Sequence, residues 1–152
     1  MINPGRQLKN KQMFAIGIMF VCLFSFVEVS TAGCECELQT YEQAISRSDT
    51  IFVGNVIAVE ETTQGGANGV LATFQVMTAY KNADQPEIKV FLKKDSCQSS
   101  KRIEFKQNTG YLVYSRADGP GQQSIEDCSR TAIIPDAMTD IALLNVKSTG
   151  QE

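Results

Sequence analysis

The residues best suited to chemistry are four cysteines, Cys34, Cys36, Cys97 and Cys128, two of which flank a single carboxylate in Cys34-Glu35-Cys36. The triplet directly follows a short hydrophobic leader. Cleavage just ahead of Cys34 would give it a free α-amino group beside its own carbonyl. A neutral amine is a good zinc ligand. Two disulfides would hold that chelating end rigidly and keep the ordering cost of binding low. A single extra residue abolishes the arrangement: cleavage ahead of Gly33 turns the Cys34 nitrogen into an amide.

The leader decides which end is made. Residues 1–33 have the layout of a secretory signal peptide, with basic Arg6, Lys9 and Lys11 ahead of an apolar run over 13–27. The roughly 15 apolar residues before Glu28 fall short of the roughly 20 that a membrane-spanning helix needs, so a cleaved leader and no transmembrane span after processing are expected. Ser30 and Ala32 allow cleavage before Gly33, whereas Thr31 and Gly33 allow it before Cys34. Thr31-Ala32-Gly33-Cys34 also loosely resembles the lipobox of bacterial lipoproteins, although Thr31 replaces the usual Leu and Glu28 adds a charge. That route would put a lipid anchor on Cys34 and acylate its amine. The expected location is secreted or extracytoplasmic, in the periplasm or cell envelope if the source is bacterial.

Removing the leader takes Cys22 with it and leaves four cysteines, an even number that reads as two disulfides in an exported domain. A Cys34–Cys36 bond would close a very small strained ring, so both are expected to reach Cys97 and Cys128, in either of two pairings. In the chain-entropy model each such loop is worth roughly 4–5 kcal/mol. The part beyond residue 33 has 11 basic and 16 acidic residues. Lacking a basic surface, it is expected to bind neither nucleic acid nor anionic lipid.

No histidine is present to act as a base, and no cysteine is left over as a nucleophile, so an enzyme is not expected. Glu60, Glu61, Asp84, Glu87 and Asp95 are scattered at turns and strand ends and read as solvated charges. A metal site built from all four cysteines conflicts with an oxidising compartment, and no cofactor is expected.

The elements that must position the cysteines are mostly strands. Thr40 and Gln43 fit a capping box ahead of a short helix over 41–48, whose Tyr41, Ala44 and Ile45 share one face; it reads as a plug on a barrel end. β-Branched and aromatic density predicts strands over 50–60, with a bend at Gly54, and over 70–80, joined by a mobile linker at 64–69. Further strands are predicted over 87–93, 110–115 and 122–126, with a short extended piece at Ile103 and Phe105. Pro135 opens a closing helix with Ala137, Ile141 and Leu144 on one face, and residues 149–152 read as a loose tail. The expected fold is all-β with marginal helices: one domain over 34–148, a five-stranded Greek-key barrel of the OB type stapled by disulfides. Phe91, Tyr111 and Tyr114 would be stacking surfaces in a nucleic-acid binder, but strand aromatics usually belong to the core.

Taken together, these residues resemble the netrin-like domain of the tissue inhibitors of metalloproteinases and their bacterial relatives. The resemblance rests on Cys34-Glu35-Cys36, Asp49-Thr50-Ile51-Phe52-Val53-Gly54, Phe74 through Tyr80-Lys81-Asn82, Cys97, Tyr111-Leu112-Val113-Tyr114 and Cys128-Ser129. It implies disulfides Cys34–Cys97 and Cys36–Cys128, and a zinc metalloprotease as partner of a monomeric inhibitor. Cys34 would chelate the target's zinc, Glu35 would enter the adjoining pocket, and Asp95 and Ser96 would flank the site. A carboxylate entering an apolar pocket is costly to desolvate, so Glu35 should weaken inhibition. With four cysteines beyond residue 33, no pair is left for the family's third barrel disulfide, and the family's separate C-terminal module is not expected. The competing reading is an extracytoplasmic binding module in which the cysteines only staple the N-terminus.

Overall fold

Two 15-residue strands dominate the architecture, and the rest of the sheet is built outward from their edges. The computed structural model describes Glu37 and residues 39–94, 103–126 and 128–149. Strands β1 (Thr50–Gln64) and β2 (Ala67–Lys81) form one antiparallel hairpin. The linker expected at 64–69 is largely taken up by the strands, leaving only Gly65 and Gly66 as a turn, with φ of 56° and 80°. Positive φ at both central positions is what a type I′ hairpin turn demands, and glycine supplies it without steric cost. Across the turn the Thr63 hydroxyl donates to Asn68 Oδ1 at 2.9 Å.

The β1–β2 register shifts at three places, one of them between Val53 and Gly54, where the sequence predicts a bend. A Cβ on Gly54 would lie 3.0 Å from both the Gln75 carbonyl oxygen and the Phe52 ring. β3 (Glu87–Lys93) continues the sheet antiparallel to β2, and β4 (Gly110–Ala117) runs antiparallel to β1 on its other edge. β5 (Gln123–Ser124) pairs parallel with β3 and antiparallel with β4, and β6 (Ala132–Ile133) adds to β4. The order β1-β2-β3-β5-β4-β6, with β1 also paired to β4, closes five strands into a ring.

The fifth strand is thus two residues long instead of the five expected, and a sixth, unforeseen one follows. The Ile125 N–H donates to the Phe91 carbonyl at 3.1 Å, the hydrogen bond that seats Ser124 beside β3, and the chain then turns through Cys128 at φ 65°. Ile103 and Phe105 form no strand; Phe105 instead turns into the core. Helix α1 (Tyr41–Arg47) has the expected capping box, with Gln43 N–H donating to Thr40 Oγ1 at 3.3 Å and Thr40 N–H to Gln43 Oε1 at 2.9 Å. Helix α2 (Ile134–Thr149) runs one residue into the expected tail, because the Thr149 hydroxyl reaches back to the carbonyls of Asn145 and Val146.

Alternation along β1 and β4 builds two apolar cores. Phe52, Val56, Tyr111 and Val113 point into the ring, where the Phe74 ring meets Phe52, Phe105 and Tyr111 edge-on with centroids 5.5, 5.1 and 6.1 Å away. Ile51, Val53, Leu112 and Tyr114 point outward and are covered by Ala44 of α1 and by Ala137 and Leu144 of α2. Burial on both faces explains why β1 reads as a nearly continuous apolar run at its start. It also corrects the expectation for α1, which packs on the outer face with α2 and does not plug the ring. Phe91, Tyr111 and Tyr114 are 5, 1 and 2% exposed, so they are core residues and offer no stacking platform.

Candidate functional site

Cys34, Glu35, Asp95 and Ser96, with Cys36 and Cys97, lie outside the described residues. Their flanks are described, and those flanks are tied to one another. Three residues beyond Cys36, the Gln39 carbonyl accepts a hydrogen bond of 3.0 Å from Nη1 of Arg130, which stands two residues beyond Cys128. The other edge of the same guanidinium is held by Asp140 of α2: Nε donates to Oδ2 at 2.7 Å and Nη2 to Oδ1 at 2.6 Å. The Tyr114 hydroxyl on β4 adds a third donor to Asp140 Oδ2 at 3.0 Å. The Arg130–Asp140 pair therefore joins the segment after Cys36, the segment after Cys128, the closing helix and, through Tyr114, the sheet.

Burial makes this joint demanding. Asp140 is 4% exposed, and a carboxylate in that position needs a charge partner and a full set of donors. The three hydrogen bonds provide them. The hydrogen bond to Asp140 raises the pKa of the Arg130 guanidinium. Burial first, and the Asp140 charge second, push the Tyr114 hydroxyl far above the ordinary tyrosine value. The adjoining loop is fixed to β4 through Thr131, whose Oγ1 accepts from the Tyr114 N–H at 2.9 Å and from the Ser129 hydroxyl at 2.8 Å.

The approach to Asp95 is fixed at the β1–β2 hairpin. Lys94 N–H donates to the Asn68 carbonyl at 2.9 Å, and its ammonium meets Glu61 Oε1 at 2.6 Å. That contact holds the Glu61 carboxyl below the usual range. Glu61, Thr62, Thr63, Asn68, Gly69 and Lys94 line an open polar hollow of about 330 Å³. The segment before Cys128 is joined to the strand leading to Asp95 by the Ile125 to Phe91 hydrogen bond.

Arg130 and the role of Asp140 are not apparent from motif reading, yet the sequence holds a signal for them. Asp140 lies on the same helical face as Ala137, Ile141 and Leu144, and an acid within an apolar stripe calls for a cation and hydrogen-bond donors packed against it. Among the described residues no cluster of three or more histidines, cysteines or acids is arranged to hold a metal ion, and no helix is long and apolar enough to cross a membrane. No protein-family model matches the sequence, and no curated protein matches it.

Proposed function

We propose that the protein is a secreted inhibitor of zinc metalloendopeptidases, similar to the tissue inhibitors of metalloproteinases, and that it binds the target's zinc through the α-amino group and carbonyl of an N-terminal Cys34. The observation that carries this reading is the Arg130 to Gln39 hydrogen bond, which tethers the chain three residues beyond Cys36 to the loop beyond Cys128. A chelating end is useful only if it is held rigidly, since ordering it during binding would cost affinity. The five-strand ring with its parallel β3–β5 pairing supports an OB-type Greek-key barrel as the platform. On this reading Cys34–Cys97 and Cys36–Cys128 are the disulfides, Glu35 enters the protease pocket, and Asp95 and Ser96 border it. The zinc belongs to the target.

The test compares inhibition of a panel of zinc endopeptidases by protein beginning at Cys34 and by protein carrying one additional glycine ahead of it. The extension converts the amine to an amide and should abolish inhibition, while Glu35→Thr should strengthen it by removing a carboxylate that must be desolvated. Inhibition that survives the extension overturns chelation and assigns binding to another face of the fold.

A further inference from the structure

Helix α2 buries one face and leaves a second apolar face uncovered. At 100° per residue, Ala137, Asp140, Ile141 and Leu144 face the sheet, whereas Pro135, Met138, Thr139, Ala142, Leu143 and Val146 fall on the opposite side. Met138, Leu143 and Val146 are 57, 45 and 72% exposed. No charged residue interrupts this outer stripe over its three turns. Asp136 and Lys147 lie along one of its flanks, near opposite ends of the helix, and neither has an ion-pair partner among the described residues.

We infer that the outer face of α2 is a self-association surface, on which two copies of this chain pair their α2 helices antiparallel about a two-fold axis near Ala142. The charges select a second copy as the occupant. A two-fold axis perpendicular to the helices keeps each flank on its own side and reverses its direction. Asp136 of one copy then meets Lys147 of the other, and the same contact forms twice. The apolar side chains match under the same operation, Met138 against Val146 of the second copy and the reverse. Ala142 at the crossing is small enough for helix axes to approach to about 8 Å. A membrane-surface helix would instead carry several Lys or Arg on its polar side, and α2 has only Lys147. Because a single helix face is smaller than the roughly 800 Å² per partner of a stable interface, the dimer forms reversibly and dissociates on dilution.

Sedimentation of the protein expressed as the full chain, over about 1 to 300 µM, tests this against variants on the exposed face. The mass should rise from one chain to two with concentration. Val146→Glu should hold it at one chain throughout. Asp136→Lys should weaken association about tenfold, and the double exchange Asp136→Lys with Lys147→Asp should restore it. Unchanged urea midpoints would show that the variants fold. A wild-type protein that stays monomeric at the highest concentration, association indifferent to Val146→Glu, or a double exchange that fails to rescue would each overturn the inference.

Discussion

Arg130 grips Asp140 with two parallel hydrogen bonds of 2.7 and 2.6 Å, and only 6% of the Asp140 side chain is exposed, against 30% of the Arg130 side chain. Removing the cation alone leaves a carboxylate that water cannot reach. Breaking a buried pair from one side costs about 3–5 kcal/mol, and the partial exposure of Arg130 puts Arg130→Met near the lower end. The double variant Arg130→Met with Asp140→Leu should recover much of that loss, because no charge is then left uncompensated. Urea unfolding of the two singles and the double checks both statements.

Tyr114 makes stability fall in alkali. Its folded-state pKa is raised, so below about pH 10 the hydroxyl is neutral in both folded and unfolded chains and nothing is lost. Above that value the unfolded tyrosine ionises while the folded one does not, and stability declines by up to about 1.4 kcal/mol per pH unit. Burial raises Tyr41 and Tyr80 in the same direction, and they add to the same limb. Tyr114→Phe should flatten the decline above about pH 10 and cost about 1 kcal/mol at neutral pH, where Asp140 loses one donor. Unfolding midpoints measured on both sides of pH 10 read both effects.

Phe74 is the hub of the ring interior, in edge-on contact with three aromatic rings. Truncation to alanine leaves a cavity that the closed sheet cannot collapse. Phe74→Ala should cost about 3–5 kcal/mol, a large part of the stability of a small domain. A lowered thermal midpoint with loss of near-ultraviolet circular dichroism would register it.

The glycines of the hairpin should separate into three classes. A Cβ on Gly69 would lie 2.4 Å from the Phe91 ring and 2.5 Å from the Leu92 carbonyl oxygen, so Gly69→Ala should cost about 1–3 kcal/mol by overpacking. Gly66, at φ 80° in open space, has only backbone strain to lose, and Gly66→Ala should cost about 1–2 kcal/mol. Gly65→Asn should be close to neutral, because Asn-Gly is a favoured type I′ pair. Chemical denaturation of the three variants should give that order.

Local patterns were legible where one physical rule governs a segment. The Thr40 and Gln43 side chains announce α1, and the apolar spacing of Ala137, Ile141 and Leu144 announces α2. The inward and outward sets of β1 and β4 follow from strand alternation. Features set by distant partners were not legible. Gly65-Gly66 is a tight turn only because β1 and β2 pair along their full length, and the two-residue span of β5 is set by its partners β3 and β4 on either side. The Arg130 joint depends on residues 91 positions apart at Gln39 and Arg130, a contact that no local period encodes. The inhibitory residues proposed from the sequence, Cys34, Glu35, Asp95 and Ser96, lie outside the described residues, and chemical tests of the N-terminus bear on them most directly.

The hairpin outruns the ring. β1 pairs with β4 only as far as Asn55, and from Ala58 to Gln64 it has β2 on one side and, among the described residues, no strand on the other. Such an edge offers a row of backbone donors and acceptors to any extended chain, which makes it a template for fibril growth. Glu60 and Glu61, exposed midway along it with Lys94 alongside, are the charged residues that blunt such edges. Glu60→Gln with Glu61→Gln would strip that guard while leaving the fold intact, so in concentrated solution this stretch becomes the place where cross-β stacking should begin.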